Sequence, residues 1–270
     1  MLTRRATAVA AALVVALAGC HSNGSAEPTA TEPAATEATP SSPVQPAPPA
    51  QAANDDVNAW RQVGTSVQGR PLRALTLGHG PRKVLFIGGI HGDEDEGAYT
   101  TAQLPAAFLA DGLADTVTLT ILEDANPDGR AAGSRGNADG VDVNRNFPAK
   151  NFDTGTAAYG GSPLSQPESR AVKALIDEVN PALVVVSHAW SGDEFINFDG
   201  PAREIAERFS AATGLKVQDS SSFAPTPGSL GSWAGRDRGI ALLTIEILKG
   251  TDPQREWERI KTALLAAIAG

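Results

Sequence analysis

The chain has 270 residues, a formal net charge of −9 and a single cysteine. An acidic balance with no basic run argues against a nucleic-acid surface, because phosphate binding needs clustered Lys and Arg, and one cysteine excludes a disulfide framework. With Arg4, Arg5 and the five acids before Val57 set aside, residues 57–270 carry 20 basic and 26 acidic residues, a net of −6, over a length that suits one domain with a sizeable core.

Residues 1–19 begin with two arginines and continue into an apolar run, Ala6 to Ala18, that is too short to span a bilayer and reads as a secretory signal. Leu17-Ala18-Gly19-Cys20 resembles the bacterial lipobox, which implies lipidation at Cys20 and attachment to a membrane. His21 stands where an aspartate would favour inner-membrane retention, so the outer membrane, facing the periplasm, is the expected destination. The stretch 20–56 holds seven prolines and no Lys or Arg after the cysteine. It has too little apolar surface to offset chain entropy and is expected to be a disordered tether. The folded domain is then 57–270.

Within it, Leu72–Leu77 and Lys83–Ile87 read as strands joined by Gly78-His79-Gly80-Pro81, a connection of hairpin length. A helix is expected over Asp95–Leu109, with Pro105 near its end, and a strand over Val117–Leu122. A Gly- and Asn-rich loop follows from about 124 to 161, and a loop that long in a compact domain is usually functional. Ser165-Gln166-Pro167-Glu168 has the form of a capping box for a helix to about Val179, which makes Glu168 a structural residue. Leu183–Val186 and Ala241–Leu248 are apolar throughout, as buried strands are. Arg203–Ala212 and the tail from Pro253 read as helices. Strands alternating with helices predict an α/β fold, a mixed, mostly parallel twisted sheet with helices on both faces.

Three polar interruptions stand at or near the ends of apolar strands: His91-Gly92-Asp93-Glu94 after Val84–Ile87, Ser187-His188 after Leu183–Val186, and Glu246 within Ala241–Leu248. Ligands of open α/β sheets sit beyond the carboxyl ends of strands, so the three can converge on one crevice. A buried, unpaired carboxylate or imidazole is costly, and their coincidence suggests that each satisfies another or a metal. Zinc catalytic sites commonly take two imidazoles and a carboxylate. His91, Glu94 and His188 would supply that set and leave Glu246 as a base. Taken singly, His188 equally suits a hydrogen-bonded core histidine and Glu246 a buried ion pair, so pattern alone reaches no further than a metal hydrolase.

Asn126-Pro127-Asp128-Gly129, Ser134-Arg135-Gly136-Asn137 and Gly140-Val141-Asp142-Val143-Asn144-Arg145-Asn146-Phe147-Pro148 resemble the signature of zinc carboxypeptidases, in which His-x-x-Glu precedes such a loop and a strand-end His follows it. The resemblance runs from about Gly64 to Leu248. Gly69-Arg70-Pro71-Leu72 and Pro225-Thr226-Pro227-Gly228-Ser229 narrow it to the murein peptide amidases, which cleave the γ-D-glutamyl to meso-diaminopimelate bond of cell-wall peptides. It implies one zinc ion on His91, Glu94 and His188, with Glu246 as general base and Arg135 polarising the scissile carbonyl. Asn144 and Arg145 would hold the substrate's terminal carboxylate, and Asp142 would orient His91, although an aspartate there also suits a turn cap.

One departure stands out. Many zinc carboxypeptidases place a tyrosine before the base, whereas this chain has only Tyr99 and Tyr159, with Phe223 or Ala224 in the corresponding segment. Asp193 and Glu194, just past His188, are candidates for the pocket that takes the diaminopimelate side chain. The expected function is zinc-dependent trimming of peptidoglycan stem peptides. The alternatives are a general metallocarboxypeptidase, an N-acyl amino acid deacylase, and a non-catalytic wall-binding lipoprotein. The sequence is silent on oligomeric state.

Overall fold

A computed structural model describes residues 59–220 and 226–270, all within one compact unit. The expected signal segment, Cys20 and the tether lie outside the described residues. Among the described residues no helix is long and apolar enough to cross a membrane.

The elements run β1 (Arg61–Thr65), β2 (Pro71–Leu77), β3 (Arg82–Ile87), α1 (Glu96–Ala110), β4 (Val117–Leu122), α2 (Pro127–Ala132), α3 (Pro167–Val179), β5 (Leu183–Trp190), β6 (Phe195–Asp199), α4 (Arg203–Thr213), β7 (Lys216–Asp219), β8 (Ala241–Leu248) and α5 (Pro253–Ala269). The eight strands form one sheet in the order β1-β2-β4-β3-β5-β8-β6-β7. Its centre, β4-β3-β5-β8, is parallel, and the antiparallel ladders β1–β2, β2–β4 and β6–β8 flank it.

Both faces are covered. One core packs Leu104 and Phe108 of α1, Phe209 of α4 and Trp257 and Ile260 of α5 against Phe86, Val185 and Leu243. The other packs Val172, Leu175 and Ile176 of α3, with Phe147 and Trp233, against Leu85, Ile87 and Val184. This two-sided burial explains why β5 is apolar at consecutive positions rather than alternating. Each such side chain contributes about 1.5–3 kcal/mol relative to exposure. The sheet and its helices are the α/β arrangement the sequence implied.

Two local expectations are corrected. β2 and β3 are not a hairpin, because β4 lies between them, antiparallel to one and parallel to the other. Helix α1 forms where it was expected and runs through Pro105, with Leu104 and Phe108 fully buried on either side of the missing N–H. Helix α3 begins without a side-chain cap. The Glu168 carboxylate instead accepts from the Val67 N–H at 3.0 Å and Asn137 Nδ2 at 2.9 Å, tying two loops to the helix start. Strands β1, β6 and β7 were not legible. They are short, and a polar residue interrupts the apolar run of β6.

Candidate active site

Strand order reverses between β3 and β5: β4 lies on one side of β3, and β5 and β8 lie on the other. A crevice opens at the carboxyl ends of strands at such a point. The turn after β3 carries His91 and Glu94, the end of β5 carries His188, and β8 places Glu246 opposite His188 in the ladder. The turn is held down by a close backbone contact. A Cβ on Gly92 would lie 1.9 Å from the Gly129 carbonyl carbon, so only glycine lets this turn rest on α2.

His91 Nδ1 lies 2.7 Å from Glu94 Oε1, and His188 Nδ1 lies 2.9 Å from Glu94 Oε2. The rings are tilted at 38° with centroids 4.6 Å apart. All three residues are at least nine-tenths buried. One donor atom from each falls within 4.8 Å of the other two. The Ala189 N–H also donates to Glu94 Oε2 at 3.0 Å. Burial alone would raise the Glu94 carboxyl, but the two imidazoles outweigh it and hold it well below the usual carboxylate range. For His91, burial pushes the imidazole down, while Asp142 and Glu94 outweigh that and raise it. Two imidazole nitrogens and an ionised carboxylate converging in a buried pocket fit a zinc ion, and the imidazoles must be neutral to hold it.

The 124–161 loop supplies the rest through a set of local caps. In Asn126-Pro127-Asp128-Gly129, the Asn126 side chain caps α2 by accepting from the Gly129 N–H at 3.0 Å, and its Nδ2 donates to the Arg135 carbonyl at 3.3 Å. Asp128 accepts from Ser66 Oγ and the Gln68 N–H, both at 2.8 Å, and pairs with Arg70. Asp142 caps the turn Val143–Arg145 through the Asn144 N–H. It also meets His91 Nε2 at 3.2 Å and accepts from Arg135 Nε at 2.9 Å. Both sequence readings of Asp142, turn cap and partner of His91, therefore describe contacts it makes.

Arg135 Nη1 reaches to 3.5 Å from Glu94 Oε1. Asn144 is more engaged with the chain than a pure substrate ligand would be: its Oδ1 accepts from the Leu230 N–H at 2.9 Å, and its Nδ2 is 3.3 Å from His188 Nε2. Arg145 donates to the Asn144 carbonyl at 2.8 Å. His91, Glu94, Arg135, Asn144, Arg145, His188 and Glu246 all line one cavity of about 730 Å³. Burial, followed by the neighbouring Glu94 charge, raises the Glu246 carboxyl above its ordinary value, with His188 opposing the shift.

Of the two acids after His188, only Asp193 lines this cavity. Glu194 is withdrawn, accepting from Arg259 at 2.7 Å and from the Leu248 N–H. The segment holding Phe223 and Ala224 lies outside the described residues. Neither Tyr99 nor Tyr159 lines the cavity. Sequence reasoning missed Asn197 and Asp199 of β6, which do. The signal was the one used elsewhere, polar residues inside the apolar run Phe195-Ile196-Asn197-Phe198-Asp199.

A mixed sheet that brings two imidazoles, a carboxylate and a second, raised carboxyl to one strand-end crevice defines a metal-dependent hydrolase. The zinc carboxypeptidase family model matches residues 50–227, and the chain belongs to that family. Murein peptide amidase A of Escherichia coli strain K12 is 32% identical over 200 residues, covering 68% of this chain and 78% of that protein. The gamma-D-glutamyl-L-diamino acid endopeptidase 1 of Lysinibacillus sphaericus is 26% identical over 251 residues, covering 71% and 61%. The crystal structure of murein-tripeptide amidase MpaA from Escherichia coli O157 matches with a TM-score of 0.61 and 28% identity, over 78% of this chain and 92% of that one. The carboxypeptidase A of Helicoverpa armigera, at 20% identity and a TM-score of 0.67, shares the fold. The chain is a zinc-dependent hydrolase, and His91, Glu94 and His188 are the residues placed to hold the ion.

Proposed function

We propose that the protein hydrolyses peptidoglycan stem peptides at the γ-D-glutamyl to meso-diaminopimelate bond. The observation that carries this reading is the joint presence of the zinc-binding set and 32% identity to a murein peptide amidase over most of both chains. Zinc bound there supplies a Lewis acid and lowers the pKa of water beside it. Glu246 takes the proton as the water oxygen attacks the scissile carbonyl carbon, then delivers it to the departing amine as the C–N bond breaks. Arg135, held by Asp142 through Nε, offers its remaining guanidinium donors to the developing oxyanion. Arg145 has the planar fork suited to a free carboxylate on the departing residue, and Asn144 adds a donor. Asp142 fixes the ring of His91.

We also read residues 1–19 as a lipoprotein signal and Cys20 as the lipidated residue of an envelope protein held at the outer membrane and facing the periplasm. The support is the lipobox-like Leu17-Ala18-Gly19-Cys20 and a cell-wall substrate. Labelled-fatty-acid incorporation that is lost in Cys20→Ala tests the anchor. The hydrolytic reading is tested by incubating the purified protein, with and without chelator, with L-Ala-γ-D-Glu-meso-diaminopimelate and with an ordinary tripeptide. Chelator-sensitive release of diaminopimelate from the first is expected. Cleavage of the ordinary tripeptide alone would make it a general carboxypeptidase, and cleavage of neither would remove the enzymatic reading.

A further inference from the structure

The hydrolytic scheme leaves a second cavity unused. It holds about 400 Å³ and shares no lining residue with the zinc cleft. A volume in that range suits a small ligand when an apolar wall meets a few placed polar groups. Here the wall is Trp60 and Pro127, with Ala98 and Ala102 on one face of α1. Trp60 is 38% exposed. A single exposed apolar side chain is ordinary on a flat surface, whereas an indole lining a concavity presents a stacking face to whatever enters.

Three guanidinium groups border this wall, and each already has a carboxylate. Arg73 Nε and Nη2 donate to the two oxygens of Glu123 at 2.9 and 3.1 Å, a bidentate pair. The sheet holds that pair in place, since the Glu123 N–H donates to the Arg73 carbonyl at 2.9 Å. Arg130 pairs with Asp124, and Arg70 with Asp128. Charges matched in this way offer little net attraction to a free anion or a free cation. They still present N–H groups and carboxylate lone pairs to the cavity, because the Arg73 and Glu123 side chains are 49% and 40% exposed. Balanced charge, exposed donors and acceptors, and an aromatic wall together describe a site for a neutral ligand rich in hydroxyl groups.

We propose that this cavity is a saccharide-binding subsite that takes an N-acetylated amino sugar of the wall glycan. One face of a pyranose ring carries C–H groups of partial positive charge, which the negative face of the Trp60 indole attracts. The sugar hydroxyls meet the Arg73–Glu123 pair, and the acetamido methyl lies against Ala98 and Ala102. The choice of an amino sugar rests on the peptidoglycan reading above, whereas the stacking and pairing chemistry does not. The subsite adjoins the turn that carries His91. A Cβ on Gly89 would lie 2.4 Å from Asp124 Oδ1 and 2.8 Å from Arg130 Nη2, so this ion pair rests on the backbone leading to the zinc-binding residues. A glycan strand bound there keeps the enzyme at the wall that carries its stem peptides.

The test titrates the zinc-loaded full chain with the β-1,4 tetramer of N-acetylglucosamine and follows the tryptophan indole N–H resonances, with Trp60 assigned by Trp60→Phe. Trp190, which lines the zinc cleft, is the internal control. The Trp60 resonance is expected to shift while that of Trp190 stays in place. By calorimetry Trp60→Ala should weaken binding at least about tenfold, and Arg73→Gln about two- to tenfold; retained zinc shows that each variant is folded. A parent that does not bind the tetramer overturns the proposal, and this measurement needs no variant. A shift at Trp190 alone would place the sugar in the zinc cleft and overturn it too. Equal affinity for the β-1,4 tetramer of glucose, which lacks acetamido groups, would overturn the amino-sugar assignment. A Trp60 shift caused by L-Ala-γ-D-Glu-meso-diaminopimelate and not by the tetramer would make the cavity a peptide subsite and overturn the proposal. None of these readouts involves hydrolysis, so chelator-sensitive release of diaminopimelate stands or falls separately.

Discussion

His188 and Glu246 face each other in the parallel ladder of β5 and β8, so adjacent strands present an imidazole and a carboxyl to the same crevice. His188 is turned towards Glu94 at 2.9 Å, whereas Glu246 lines the cavity. The pairing separates a residue that holds the ion from one that moves a proton, although both are strand-end polar residues.

If Glu246 is the base, Glu246→Gln should retain zinc and lose hydrolysis by about 10²–10⁴-fold, the usual contribution of a positioned proton carrier. Metal content by atomic absorption alongside kcat separates the two effects. A variant that turns over at the parent rate would remove Glu246 from this role.

Zinc titrated into chelated protein should restore activity at one equivalent per chain, because the described residues contain a single cluster of metal-ligating side chains. His188→Ala should abolish that restoration. Full activity only at two equivalents would contradict a one-ion site.

Asp142 meets His91 Nε2 at 3.2 Å and Arg135 Nε at 2.9 Å. Asp142→Asn should therefore weaken zinc binding by about 10–100-fold, the range seen when the partner of a ligand histidine is lost. Competition against a chelator of known affinity measures it, and an unchanged zinc affinity would show that the contact does not tune His91.

Gly92→Ala should be disruptive out of proportion to its size. The new Cβ would meet backbone of α2, which cannot yield as a side chain can. Overpacking of this kind costs about 1–3 kcal/mol. It should lower Tm and also displace His91 and Glu94, reducing zinc affinity. By contrast Gly155→Ala, whose Cβ would approach only the Asp153 side chain at 3.3 Å, should leave zinc affinity near that of the parent.

The Asp128 side chain is 1% exposed and anchors the 66–70 loop. Burial would raise its carboxyl, but the Gln68 N–H, Arg70 and Ser66 outweigh it and lower the folded-state value. The stabilisation is then fully present above the unfolded-chain value of about 3.9 and lost as pH falls through the lower folded one. Asp128→Asn should cost about 1–3 kcal/mol at neutral pH. The gap between parent and variant in urea melts should narrow only in strong acid. A gap that widens with acidification would refute the assignment.

The central strands were readable because two-sided burial writes consecutive apolar residues into β3, β5 and β8, and a polar residue in such a run is conspicuous. His91, Glu94, His188 and Glu246 stood out for that reason. Asp199 did not, since β6 is five residues long and two of them are polar. The capping-box reading of Glu168 failed because its partners, Val67 and Asn137, are remote in sequence. The apparent β2–β3 hairpin failed similarly: a four-residue connection has the same length whether or not another strand inserts between its neighbours.

The sequence by itself determined the α/β class, the covered sheet and the chemistry of the zinc-binding residues, since burial and donor type are local properties of a run of residues. Tertiary structure alone decided the strand order that brings β3, β5 and β8 side by side, the double use of Asp142 as cap and histidine partner, and the arrival of Asp199 in the same cavity. These depend on contacts between segments far apart in the chain. Backbone pairing and close glycine packing select such contacts, and no periodicity within one segment records them.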